Sequence, residues 1–245
     1  PPRSTLFPYT TLFRSETIHL IEESALSSEK NAFIKSSVFN KDKISRIVEF
    51  LEVFTNNDRF KIFDYLRKIP LSINDIKEII NKSLSTTSHH LQILLKTGII
   101  KGWKEEKILF YSINQTTISE IISLWEDWMY CMPFQIKPIQ PLQNYELNDQ
   151  EQRALFDFIN VIGNFERFEI LVNLQAENHN LTTLESLLDK PQTSIYHHLQ
   201  ILRDIQLISG FSSGRFTDYQ VQKDSIEILN NLWVIWLGTI TNWFK

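Results

Sequence analysis

The sequence has little cysteine, little glycine and no long apolar run, and each shortage excludes a class of protein. Cys131 is the single cysteine among 245 residues, so an intrachain disulfide or a multi-cysteine metal site cannot form. Such sparse cysteine is typical of a reducing compartment, and we expect a cytoplasmic location. No eighteen consecutive residues are apolar, so we expect no membrane-spanning helix. Six glycines and 42% hydrophobic residues indicate a globular chain.

The motifs of common enzyme classes are also missing. We find no glycine-rich phosphate-binding loop, no H-E-x-x-H motif and no nucleophile elbow. Carboxylates scattered along amphipathic helices are usually solvated. We therefore expect a protein that is not an enzyme and that needs no cofactor.

The first fifteen residues differ from the rest. TLFPYTTLFRS reads codon for codon like a translated short-read sequencing adapter, and it lacks the charged and apolar regions of a signal peptide. We predict that residues 1–15 are a sequencing-adapter artefact and that residues 16–43 are an N-terminal extension. Without Arg3 and Arg14, 23 basic residues stand against 29 acidic ones, a net charge of −6.

An internal repeat covers most of the chain. HHLQIL occurs at residues 89–94 and at 197–202, and an offset of 108 residues aligns further matches without a gap. These matches include Arg59 with Arg167, Gly102 with Gly210, Tyr111 with Tyr219, Trp125 with Trp233, and Trp128 with Trp236. Because loops are where lengths normally drift, a gapless offset predicts duplication of a whole domain. We predict domains at 44–132 and 148–245, joined by a proline-containing linker at 133–147.

Each half reads as five helices and one β-hairpin. In the first half, apolar spacing predicts a helix between Ile44 and Phe54 and a second over 57–68. A short third helix follows Ser72, and a fourth begins near Ser85 and ends at Gly98. The run IIKGWKEEKILFYSI predicts a hairpin, and a long fifth helix follows it.

This order is that of a winged helix-turn-helix, and three motifs resemble one family with that fold. STTSHHLQILLKTGII resembles the recognition element of the ArsR repressors, roughly S-x-x-T-V-S-x-H-L-x-x-L-x-x-A-G-L-V. NNDRFKIF resembles the family's D-P-T-R-L-R-I-L segment without its proline, and SSGRFTDYQV resembles its G-R-x-x-x-Y wing. The second recognition element, KPQTSIYHHLQILRDIQLI, matches less well. The resemblance implies a mainly α fold with small β-wings, present as two tandem repeats.

The spacing of residues on the predicted fourth helix supports DNA contact independently of the resemblance to the ArsR repressors. At 100° per residue, Leu84, Thr87, Leu91, Leu94 and Leu95 share one side, which we expect to face the core. Ser85, His89, Gln92 and Lys96 share the other side, and their polar groups can bond base edges or phosphates of double-stranded DNA. A solvated helix face is the alternative, but the order of elements favours DNA contact.

The predicted DNA-contacting residues come from both halves. They are Ser85, Thr86, Ser88, His89, Gln92, Lys96, Lys104 and Lys107, with Gln192, Thr193, Ser194, His197, Gln200 and Arg215. The second half is less suited to DNA, because Asp204 replaces Lys96. Residues 72–111 carry a net charge of +2, whereas residues 180–219 carry −1. We expect the first half to contribute more of the affinity.

The paired histidines do not predict a metal site. Neighbouring helical residues point about 100° apart, so His89 and His90 cannot easily share one ion. The resemblance implies metal ligands on the third or fifth helix, and neither LSINDIKEII nor TTISEIISLWEDWMYCM contains such a set. We expect His90 and His198 to pack at the edge of the core and Cys131 to be buried.

The resemblance also implies a reason for two copies. Regulators of this family are dimers joined by their terminal helices, and duplication would make this chain its own pseudo-dimer on an operator. Trp125, Trp128, Trp233 and Trp236 would lie at that seam, or within the core of each domain. A tandem winged-helix protein-interaction scaffold without DNA binding is the alternative function. Two further possibilities stay open: the protein binds an apolar ligand between the tryptophan-rich helices, or it forms further homo-oligomers.

Overall fold

In the computed structural model, residues 39–136 and 146–241 are described, with side chains described to residue 237. The predicted adapter artefact, most of the N-terminal extension and most of the linker lie outside these residues. The first half contains α1 (Lys41–Val53), α2 (Asn57–Leu66), β1 (Leu71–Ser72), α3 (Ile73–Ile80), α4 (Leu84–Lys96), β2 (Ile100–Glu105), β3 (Ile108–Ile113) and α5 (Gln115–Tyr130). All five predicted helices and the predicted hairpin are present.

From residue 149 the elements follow in the same order. They are α6 (Asp149–Ile162), α7 (Phe165–Ala176), β4 (His179–Asn180), α8 (Leu181–Leu188), α9 (Gln192–Asp204), β5 (Ile208–Ser213), β6 (Phe216–Val221) and α10 (Lys223–Thr241). The fold is mainly helical with small antiparallel sheets, as expected for winged-helix domains. No helix in the described part of the chain is both long and apolar enough to cross a membrane.

The two small sheets are each completed by a strand that the sequence did not predict. The strand orders are β1-β3-β2 and β4-β6-β5, and all pairs are antiparallel. Tyr219 stands opposite Gly210 in β5, where a Cβ atom would lie 2.9 Å from the Thr217 side chain. Lack of a side chain at this position therefore lets the wing strands pack closely.

Local signals fix the ends of several helices. Ser72 forms a capping box with Asp75 at the start of α3. At the end of α4, Gly98 has a φ of 73°, and the N–H groups of Gly98 and Ile99 donate to the carbonyls of Leu95 and Leu94. This is a Schellman motif, in which glycine is favoured because the left-handed conformation crowds any Cβ atom.

The end of α9 adopts the same turn without a glycine. Gln206 has a φ of 59°, and the N–H groups of Gln206 and Leu207 donate to the carbonyls of Arg203 and Leu202. A non-glycine residue in this region costs about 1–2 kcal/mol. The chain therefore tolerates Gln206 at the position that corresponds to Gly98, at a cost in free energy.

The chain folds into two compact units, and neither is continuous in sequence. One unit, the α4 unit, comprises the described residues 45–126, 146–165 and 231–241. The other, the α9 unit, comprises the described residues 39–44, 127–136 and 166–230. The α4 unit therefore takes α6 and the C-terminal part of α10 from the second half of the chain.

The core of the α4 unit is aromatic. Trp125 of α5 stacks on Trp233 of α10, with ring centroids 4.3 Å apart and an interplanar angle of 20°. Trp236 stacks on Phe60 at 5.0 Å and meets the edge of Phe54 at 5.3 Å. Helices from both halves of the sequence thus share one buried cluster in this unit.

The core of the α9 unit centres on Phe168 of α7. This ring is fully buried and lies 4.5 Å from Trp128 and 6.3 Å from Phe39, centroid to centroid. Glu169 on the same helix is buried and forms a salt bridge of 3.2 Å with Lys41. The end of α5 and the start of α1, both from the first half of the sequence, are therefore packed in this unit.

Candidate nucleic-acid interface

The outer face of α4 points to solvent along its whole length. The predicted DNA-contacting residues on it are exposed or half-buried: Ser85, Thr86, Ser88, His89, Gln92 and Lys96. On the inner face, Leu91 and Leu94 are 1% and 0% exposed. The side chains that could meet a groove are therefore separated cleanly from those that hold the helix in place.

The expected inner stripe is wrong at both ends. Leu84 is 50% exposed and Leu95 is 38% exposed. They occupy the first and last turns of α4, which extend past the buried side chains under its middle. Only the central part of the stripe, with Thr87, Leu91 and Leu94, belongs to the core.

The start of α4 is held by hydroxyl groups. Ser83 is the N-cap, and its hydroxyl accepts from the backbone N–H of Thr86. The Ser83 and Thr86 hydroxyls are 2.9 Å apart, so the Thr86 hydroxyl is part of the cap. Thr87 donates its hydroxyl to the Ser83 carbonyl. The cap orients the N-terminal turn, where recognition helices commonly meet base edges.

A charged cluster ties α4 to the start of α2. His90 is 7% exposed, and its Nε2 lies 3.5 Å from Oδ2 of Asp58. Lys82 Nζ lies 3.4 Å from the same oxygen. His90 thus faces inwards and His89 faces outwards, as the sequence predicted.

The same cluster occurs in the α9 unit with a longer acid. His198 Nε2 lies 3.0 Å from Oε2 of Glu166, and Lys190 Nζ lies 3.1 Å from Oε1 of that residue. Sequence reasoning missed both acids and both lysines. A signal was present, because acid, lysine and histidine each recur at the offset of 108 residues.

Burial lowers the pKa of His90 and of His198, because desolvation disfavours the charged imidazole. Attraction to Asp58 and to Glu166 opposes this effect without overcoming it. In both rings Nδ1 is buried and has no hydrogen-bond partner among the described residues. A proton added there would be a buried donor without an acceptor, so the neutral imidazole is favoured.

We expect the protein to lose stability as the pH falls below about 6.5, the usual histidine pKa. A folded-state pKa below the unfolded value means that the unfolded chain binds protons more readily as the pH drops. Urea unfolding at pH 7.5 and pH 5.5 would measure this loss, which should be smaller in a His90→Gln/His198→Gln variant. The exposed pair His89→Gln/His197→Gln is the control, and an equal loss in both variants would contradict the prediction.

The first wing carries its lysines into solvent. Lys101, Lys104 and Lys107 are all exposed on the β2–β3 hairpin, whose turn includes Glu106 with a φ of 54°. Trp103 stacks on Phe110 at 6.0 Å, with an interplanar angle of 25°. The stack joins β2 to β3 as a cross-strand pair, and the lysines on this hairpin are solvent-exposed.

In the second half, fewer of the predicted DNA-contacting side chains are exposed than in the first half. Thr193, His197 and Arg215 are exposed, while Ser194 and Gln200 are half-buried. The exposed Gln192 donates its amide to Glu185, so its side chain is engaged within the protein. Tyr196, which is not among the predicted DNA-contacting residues, is 50% exposed and corresponds to Ser88 of α4. The outer faces of α4 and α9 therefore differ in shape as well as in charge.

The four tryptophans and Cys131 are buried. Exposure is at most 1% for Trp125, Trp128, Trp233 and Trp236, and it is 0% for Cys131. Among the described residues no three His, Cys, Asp or Glu side chains are grouped to hold a metal ion.

The letters GFSSG at 210–214 match the nucleophile-elbow pattern, but they lie in the β5–β6 hairpin and not at a strand-to-helix turn.

The region from the start of α2 into β2 matches a known protein family. Residues 56–101 match the family described as "Bacterial regulatory protein, arsR family". The matched region begins at the N-cap of α2 and ends in β2, so it contains Asp58, His90 and the whole outer face of α4.

Several curated regulators are similar to this chain. The cadmium resistance transcriptional regulatory protein CadC of Listeria innocua is 31% identical over 106 residues, which is 43% of this chain and 88% of CadC. The transcriptional repressor SdpR of Bacillus subtilis is 34% identical over 71 residues, 29% of this chain and 74% of SdpR. The regulator NmtR of Mycobacterium tuberculosis is 24% identical over 87 residues, 36% of this chain and 72% of NmtR.

Proposed function

Because this chain belongs to the arsR family of bacterial regulatory proteins, we propose that it is a sequence-specific DNA-binding transcriptional regulator. One observation carries the proposal: the polar outer face of α4 is solvent-exposed while Leu91 and Leu94 bury the opposite face. A hydroxyl, an imidazole, an amide and an ammonium group at this spacing suit base edges and phosphates.

We further propose that the chain is an intramolecular pseudo-dimer. Domains at 44–132 and 148–245 would each supply one winged helix, with the tryptophans at the seam. Two facts support this: the order of elements recurs, and the α4 unit contains helices from both halves, joined by Trp125 and Trp233. A two-fold regulator needs two recognition helices, and one chain would provide both.

The preferred operator should not be a perfect palindrome. Lys96 and Ser88 on α4 correspond to Asp204 and Tyr196 on α9. The α9 half would therefore contribute less phosphate attraction and read different bases. Gln192, Thr193, Ser194, His197, Gln200 and Arg215 stay predicted contacts of that half.

Binding of residues 16–245 to mixed-sequence duplex DNA across a salt series tests the DNA-binding function. Each phosphate contact should add about −0.9 to the slope of log K against log salt. The double variant Lys104→Ala/Lys107→Ala should reduce the slope by about 1.8. Lys223→Ala, at an exposed lysine outside the predicted set, is the control and should leave the slope unchanged.

A steep slope in the wild-type chain would support a DNA-binding regulator, and loss of slope in the double variant would assign the first wing. Absence of binding at low salt would contradict the proposal. The protein-interaction scaffold would then be the better account of the fold.

A further inference from the structure

A cavity of about 530 Å³ lies beside the C-terminal end of α4, within the α4 unit. Its walls come from α1, the start of α2, the last turns of α4 and the turn that follows. This volume falls in the range of about 300–1,000 Å³ that is common for small-molecule sites. Lys96 lines the cavity and also belongs to the outer face of α4, so the cavity and the candidate DNA interface share one side chain.

One part of the cavity wall is apolar. Phe50 and Val53 of α1 are 2% and 6% exposed, and Ile99 is 1% exposed. Ile93 of α4 is half-buried and completes this part of the wall. An apolar group placed here would be removed from water, which favours binding.

The other part of the wall carries three cationic side chains, those of Arg46, Arg59 and Lys96. Arg46 is occupied by Glu120, with two hydrogen bonds of 2.8 and 2.9 Å. Arg59 donates its Nε to the backbone carbonyl of Val53, and among the described residues neither Arg59 nor Lys96 forms a salt bridge. Two cationic groups that form no salt bridge among the described residues therefore adjoin an apolar wall.

Partial burial of Arg59 favours an anion beside it, because the charged guanidinium has lost part of its contact with water. Desolvation lowers the pKa of its guanidinium, and attraction to Glu52 opposes this only in part. Glu49 and Glu52 also line the cavity, but both are exposed, so water screens their charge. An anion beside Arg59 would compensate for the water that this side chain has lost.

We propose that the cavity binds a small organic carboxylate with an apolar body. The carboxylate would accept hydrogen bonds from the Nη groups of Arg59 and from Lys96. The apolar body would lie against Phe50, Val53 and Ile99. A guanidinium offers parallel donors that match the two oxygens of a carboxylate, which is why this ligand class fits.

The second half keeps only part of this chemistry at the corresponding positions, because Arg167 matches Arg59 but the other two cations are lost. At the offset of 108 residues, Ala154 replaces Arg46 and Asp204 replaces Lys96. The aspartate would repel a carboxylate from the place where Lys96 would attract it. We therefore expect one ligand per chain, bound in the α4 unit.

Occupation of the cavity should weaken DNA binding. A carboxylate on Lys96 would neutralise one cation of the outer face of α4, and the salt slope should fall by about 0.9. This consequence rests on the proposed function, whereas ligand binding itself does not.

The test is calorimetric titration of residues 16–245 with 2-naphthoate and with the neutral 2-naphthalenemethanol. We expect one naphthoate site per chain and at least tenfold weaker binding of the alcohol. Lys96→Gln and Arg59→Gln should each raise the Kd for naphthoate about tenfold or more. Lys96 is exposed, so its substitution should leave the fold intact even if Arg59→Gln destabilises it. Arg203→Gln, at an exposed cation in the last turn of α9, is the control and should leave the Kd unchanged.

Three results would overturn the inference: no naphthoate binding at millimolar concentration, equal affinity for the alcohol, or an unchanged Kd in Lys96→Gln. Duplex DNA binding by the same preparation separates this inference from the proposed function. DNA binding without naphthoate binding would reject the ligand site alone. Naphthoate binding without DNA binding would keep the site and reject the regulator.

Discussion

Replacement of Trp125 by alanine is expected to lower the free energy of unfolding by about 3–5 kcal/mol. The indole is 1% exposed and stacks on Trp233 at 4.3 Å, so its removal leaves a large void in the aromatic core. Since domains of this size are stable by only about 5–15 kcal/mol, the variant should unfold at much lower urea concentration. Unfolding followed by circular dichroism would measure the change.

The matched control is Trp103→Ala in the first wing. Trp103 is 38% exposed, and its loss should cost much less than that of Trp125. A double-mutant cycle with Trp125→Phe and Trp233→Phe should give a coupling energy of about 0.5–1.5 kcal/mol. Equal costs for the two alanine variants, or no coupling in the cycle, would contradict the packing of α5 against α10.

Replacement of Gln92 by alanine should reduce discrimination between DNA sequences by about 1–3 kcal/mol, roughly 5- to 150-fold. The amide of Gln92 is exposed in the middle of the outer face of α4, where it can make two hydrogen bonds to an adenine edge. An operator would first be selected from random duplexes with the wild-type chain. The Kd for that operator and for a scrambled duplex would then be compared in each variant.

Lys96→Ala provides the contrast for this experiment. A lysine that contacts only phosphate should weaken binding to both duplexes about equally, because phosphate contacts carry no sequence information. Gln200→Ala tests the corresponding position of α9. If Gln92→Ala weakened both duplexes to the same extent, base reading by the outer face of α4 would be wrong.

Much of the fold could be predicted because its signals are local. Apolar spacing together with capping residues locates the helices of the first half, and Ser72 and Gly98 mark ends that the structure confirms. The inward and outward orientations of His90 and His89 also follow from helical geometry alone. Periodicity reports which side of a helix is buried, and that is sufficient for these features.

The features that the sequence did not predict depend on contacts between residues that lie far apart in the chain. β1 and β4 are two residues long, and only pairing with β3 and β6 makes them strands. The salt bridges of Asp58 and Glu166 join separate helices, and no local pattern predicts such partners. The cavity beside Lys96 requires α1, α2 and α4 to be placed together, which sequence spacing does not supply.

The composition of the α4 unit has a consequence for how the chain folds during synthesis. Its core needs Trp233 and Trp236, which the ribosome adds long after Phe50, Phe54 and Phe63. While the nascent chain lacks α10, this aromatic surface stays exposed and is a target for chaperones or aggregation. Contacts of such high sequence separation also slow folding, because a long loop must close before they form. The α4 unit therefore cannot complete its aromatic core until α10 has been made.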